Sequence, residues 1–114
     1  MCLLGISGLD LFKISNDKNY VNFTVDIYNK NGLGDAKKGL IYQTPVCGIF
    51  NYELAKVTED KKYQVRAEEI KNYILANYLD KSDVAFFEIN PGGGFIWSKN
   101  IRQNGLMVEL LTEQ

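Results

Sequence analysis

Histidine is missing from this chain of 114 residues. Without it there is no Ser-His-Asp triad, no Cys-His dyad and no His-ligated zinc or haem. No remaining side chain titrates near neutrality by its ordinary pKa. Cysteine is scarce: Cys2 and Cys47 form no CxxC pair and suggest no disulfide framework, which fits a cytoplasmic protein. No apolar run approaches the roughly 18–20 residues of a membrane span, and MCLLGISGLDLFKIS lacks the charged start and cleavage site of a signal peptide. Basic excess is absent too, with 13 Lys and Arg against 14 Asp and Glu. That balance argues against nucleic acid as the main partner.

What is present reads as one compact domain over 1–114, rich in apolar and aromatic residues. Val21, Phe23, Val25 and Ile27 alternate with polar or tyrosine positions in YVNFTVDIY (20–28), the pattern of a strand with one apolar face. LDLFKIS (9–15) is a second strand candidate, and NDKN between them favours a tight turn, so the two read as a hairpin. NKNGLGDAKKG (29–39) reads as the longest loop. GLIYQTPVCGIF reads as a strand broken at Pro45. Residues 51–65 read as a hairpin turning at Thr58–Lys61, with a short helix and loop as the alternative.

One helix stands out. In RAEEIKNYILANYLD (66–80), Ala67, Ile70, Ile74 and Tyr78 recur at three- and four-residue spacing. After it, VAFFEIN (84–90), a PGGG turn and FIWSKNIRQ read as strand, turn and strand. Asn104-Gly105 is the favoured pair for a hairpin turn leading into LMVELL. That register sets Ile101 opposite Val108 and puts Trp97 on the apolar face. No internal repeat is evident. The sum is an α+β fold, a mainly antiparallel sheet of about 5–7 strands with one principal helix packed on it.

The glycines of INPGGGF invite a phosphate-loop reading, but such a loop leads into a helix and carries a Lys-Ser/Thr pair. Here the following residues read as strand, so PGGG is first a turn. The residual ligand-binding reading, a backbone nest for a small anion, uses Asn90, Gly92, Gly93, Gly94, Lys99 and Arg102. Lys61, Lys62, Arg66, Lys99 and Arg102 interleave with aromatics and could track a nucleotide or a nucleic-acid backbone. The acidic pairs Glu68/Glu69 and Asp80/Asp83 match no metal-ligand spacing, so neither metal nor cofactor is expected.

Met1-Cys2 ahead of an apolar segment is similar to the start of N-terminal-nucleophile amidotransferases, and NGLGD (31–35) resembles their Asn-Gly and Gly-Asp elements. The resemblance implies Cys2 as a processed nucleophile with its own α-amine as base. The competing role for Cys2, and for Cys47, is a small buried hydrophobe. By elimination, the leading expectation is a small non-enzymatic binding protein that blocks or sequesters a host protein or small ligand, as a phage or mobile-element product would. A strand edge near Pro45 and seven tyrosines also offer a surface for a second copy.

Overall fold

The computed structural model describes the backbone of residues 1–34, 44–80, 85–86, 88–89, 95–96 and 101–112, and side chains for 1–34, 44–80 and 104–112. Among these residues there are five helices: α1 (Cys2–Ser15), α2 (Lys18–Lys30), α3 (Pro45–Thr58), α4 (Lys61–Asn77) and α5 (Ile101–Thr112). Strands are confined to two antiparallel pairs of two residues each. β1 (Leu79–Asp80) pairs with β2 (Ala85–Phe86), and β3 (Glu88–Ile89) pairs with β4 (Phe95–Ile96). The α+β reading with a sheet of about 5–7 strands is therefore wrong: the fold is helical.

The strand assigned to 20–28 is α2. Its buried positions are Thr24, Ile27 and Tyr28, at helical spacing, while Phe23 stays 48% exposed. Alternation misled because an apolar residue faces outward and a polar one faces in. Thr24 satisfies its hydroxyl locally by donating to the Val21 carbonyl at 2.8 Å. LDLFKIS belongs to α1. Pro45 does not break a strand; it occupies the first turn of α3, where its missing N–H costs nothing, and Thr44 caps the helix by accepting from the Cys47 N–H.

The turn expected at 58–61 is where the chain does turn, but between two helices. The principal helix runs 61–77, beginning earlier and ending sooner than 66–80. Asn104-Gly105 lies inside α5, so Ile101 and Val108 share one helix and do not pair across a hairpin. The strands on either side of PGGG do pair antiparallel, Glu88 with Ile96 and Ile89 with Phe95; the glycines themselves, like Trp97 and residues 35–39 of the expected 29–39 loop, lie outside the described residues, and that segment opens with the end of α2.

The two helical hairpins are copies of one pattern, which corrects the reading of a chain without repeats. Lys13, Ser15, Asp17, Lys18 and Tyr20 recur as Lys56, Thr58, Asp60, Lys61 and Tyr63. The same offset places Gly5 on Gly48, Ser7 on Phe50, Leu11 on Leu54 and Ile27 on Ile70. The turn geometry repeats as well. Ser15 and Thr58 each donate to the carbonyl four residues back at 2.7 Å and accept from the N–H of the capping aspartate. Asn16 and Glu59 close the first helix in the left-handed region, at φ 57° and 59°. Asp17 and Asp60 then cap the second helix by accepting from the Asn19 and Lys62 N–H groups.

The hairpins stack through their first helices. α3 lies between α1 and α5 and is buried around most of its circumference. Gly5 makes room for the Phe50 ring: a Cβ there would lie 2.3 Å from Phe50 Cζ. Gly48, its counterpart, makes room for Leu110 of α5, with a Cβ 2.7 Å from Leu110 Cδ1. Each glycine thus receives a side chain of the next helix in the stack. Cys2 and Cys47 form a disulfide with Cα atoms 5.1 Å apart, which ties α1 to α3 and corrects the expectation of unpaired cysteines.

Candidate interaction surface

The outward side of α1 is apolar. Leu4, Ser7, Leu11 and Ile14 follow one another at alternating spacings of three and four, the seam of a helix that packs against another helix. None of the four is covered: Ile14 is 84% exposed, and Leu4 and Leu11 are close to half exposed. Between this seam and α2 runs a groove of about 350 Å³, lined by Leu4, Gly8, Leu11, Tyr20 and Phe23, with Ser7 and Asn19 as its polar atoms. With Leu3, the patch leaves on the order of 500 Å² of apolar surface open to solvent, at the upper end of what a monomer normally leaves uncovered.

The equivalent positions in α3 explain what such a seam is built for. Cys47, Phe50 and Leu54 correspond to Leu4, Ser7 and Leu11, and all three are buried, against α1 in the case of Cys47 and Phe50. The same face of the same repeated unit is thus covered by a helix in its second occurrence and bare in its first.

One buried polar cluster joins the two hairpins and a part-buried one joins the helices of the second. The Tyr28 hydroxyl donates to Asn51 Oδ1 at 2.9 Å, and its ring meets Tyr63 edge-on at 4.9 Å. Burial pushes the Tyr28 hydroxyl up to about 12, against a partial offset from the Arg66 guanidinium. Arg66 is itself buried, its Nε donating to the Leu33 carbonyl at 3.0 Å. On the α3–α4 side, Tyr52 donates to one oxygen of Glu68 and Lys71 pairs with the other at 2.8 Å. The bond from Lys71, helped by Tyr52, holds the Glu68 carboxyl below its usual range, while burial raises the Tyr52 hydroxyl. The Glu68 carboxylate thus engages both the Tyr52 hydroxyl and the Lys71 ammonium and ties α3 to α4.

Most of the residues singled out from sequence as an anion site lie beyond what the structure describes. Asn90, Gly92, Gly93, Gly94 and Lys99 lie outside the described residues, and Arg102 is on α5 with its side chain undescribed. Arg66 is committed to the interior, whereas Lys61 and Lys62 are exposed at the start of α4, with Lys62 beside Asp60 and over the Tyr63 ring. Cys2 is buried and bonded to Cys47, so in this state its sulfur carries no thiolate. The seam at 4, 7, 11 and 14 was available to sequence reading as a heptad pattern, but assigning 9–15 to a strand cut it in half.

No helix among the described residues is long and apolar enough to cross a membrane. No family model matches the chain, and no curated protein or solved structure is detectably similar to it, so the functional reading rests on this surface.

Proposed function

We propose that the protein is a non-enzymatic interaction module that binds an apolar helix across the seam of α1 and the groove beside it. One observation carries this reading: the bare positions Leu4, Ser7 and Leu11 have buried counterparts in Cys47, Phe50 and Leu54. Covering the patch removes apolar area from water at about 25 cal/mol per Å². Its lining holds a serine hydroxyl, an asparagine and a tyrosine, and no carboxylate or cysteine, which suits docking better than chemistry.

A photoreactive amino acid placed at Leu11, with Gln64 as the control position, tests this in cells that make the protein. Cross-links from position 11 should concentrate on one apolar helix of a protein chain. Cross-links no more frequent from position 11 than from position 64 would contradict the reading. The compartment follows from the redox state of the cysteines: two free thiols in freshly isolated protein fit the cytoplasm, whereas an intact bridge fits an oxidising compartment.

A further inference from the structure

We infer that the helix covering the α1 seam belongs to a second copy of this chain, whose α5 presents its outer face, so that copies stack head to tail. This rests on the proposed role of the seam and names its occupant. The stack already built inside one molecule points to this occupant. Gly5 of α1 receives Phe50 of α3, and Gly48 of α3 receives Leu110 of α5. Leu110 therefore stands to α3 as Phe50 stands to α1. That equivalence aligns Met107 with Cys47, and both are buried, as Leu110 and Phe50 are. It also aligns Gly105, Val108 and Thr112 with Pro45, Gly48 and Tyr52.

The two ends of the stack consequently expose opposite halves of the same joint. α1 buries Cys2, Gly5 and Leu9 and exposes Leu4, Ser7, Leu11 and Ile14. α5 buries Met107 and Leu110 and exposes Gly105, Val108 and Thr112. The middle helix, α3, buries both halves. Val108 is 61% exposed and Gly105 has nothing within 4 Å of a Cβ position, so a neighbouring helix can approach this face closely. One copy's α1 seam laid on another's α5 face repeats the internal joint. The join is heterologous, each copy using a different surface, which gives open chains or closed rings in place of a two-fold dimer. Stability then grows by one joint per added copy, as in helical-repeat stacks. A single patch falls short of the about 800 Å² per partner of a standard interface, so assembly depends on concentration. The net charge of −1 puts little repulsion between copies.

Sedimentation velocity on the purified full chain tests this, using Leu11→Glu on the seam and Val108→Glu on the α5 face, with Ile14→Glu and Thr112→Glu as a second pair. All four sites are exposed, and unchanged helical circular dichroism identifies the variants that fold. Wild-type protein should grow in mass with concentration. Each variant alone should stay monomeric, and an equal mixture of Leu11→Glu and Val108→Glu should form one-to-one dimers and nothing larger, because only one intact joint remains. A wild-type monomer at the highest soluble concentration overturns the inference. So does a Val108→Glu variant that associates like wild type, which would mean that the seam pairs with itself. A monomer whose position 11 still cross-links to a different protein leaves the binding reading standing and removes the second copy as occupant. A monomer with no such cross-link removes both.

Discussion

Asn51 joins the two hairpins from a fully buried position on α3. Its Oδ1 accepts from the Tyr28 hydroxyl of α2, and its Nδ2 donates to the Cys47 carbonyl one turn back, both at 2.9 Å. Removing the amide strands a buried hydroxyl, whereas removing the hydroxyl leaves the amide one of its bonds. Asn51→Ala should therefore cost about 2–4 kcal/mol and Tyr28→Phe about 1 kcal/mol in denaturant unfolding. The double variant should cost less than their sum. Additive losses would show that the two side chains do not act as a pair.

The stacking glycines give changes of opposite sign. Gly5→Ala drives a methyl into the fully buried Phe50 ring and should destabilise by about 1–3 kcal/mol. Gly48→Ala meets the ends of the Leu110 side chain, with Ile70 Cγ2 at 3.4 Å, and should cost less. Gly105→Ala, in a helix and facing open space, should stabilise by about 0.5–1 kcal/mol when measured at high dilution. Thermal melts of the three variants give the order directly.

The Cys2–Cys47 bridge closes a long loop, its cysteines 45 residues apart in sequence. Reduction should lower stability by about 2–4 kcal/mol through the freedom it returns to the unfolded chain. Without reductant, an alkylating reagent under denaturing conditions should add no mass; two labels there would show that the bridge is absent.

Alkali should weaken the protein in a defined window. Tyr28 and Tyr78 are pushed from an ordinary 10.0 up to about 12, chiefly by burial, with Tyr73 bonding to Tyr78. The folded state thus favours the neutral phenols. The stability they contribute is complete below pH 10 and is lost as the pH rises towards 12. Tyrosinate absorbance should show Tyr28 and Tyr78 ionising late, with Tyr52 also shifted upward by burial, and unfolding should become easier in step. On the acid side the sign reverses: Glu68, held low by Lys71 and Tyr52, contributes stability that disappears as falling pH protonates it.

Two of the turns and most of the helix read over 66–80 were legible in the sequence, and the other helices were not. NDKN and TEDK both mark chain reversals, because a left-handed residue followed by an aspartate cap is local chemistry. The segments between them carry β-branched and aromatic residues that suit strand and helix alike. Their true period was hidden by Thr24, buried though polar, and by Leu11, Ile14 and Phe23, exposed though apolar. The repeat was obscured for the same reason. Ser7 and Phe50 occupy equivalent places but face different surroundings, one bare and one in the core. Of the expected anion site, Asn90, Gly92, Gly93, Gly94 and Lys99 lie outside the described residues, and Arg102 falls in the first turn of α5.

That the α1 seam is covered by a second copy of this chain can be read from methyl relaxation with a soluble paramagnetic agent at low and high protein concentration. Leu9, Leu54 and Ile70 should stay protected throughout. Leu4, Leu11 and Ile14 should be strongly relaxed at low concentration and become protected as concentration rises. Equal relaxation of the seam methyls at every concentration, with no partner added, would contradict it.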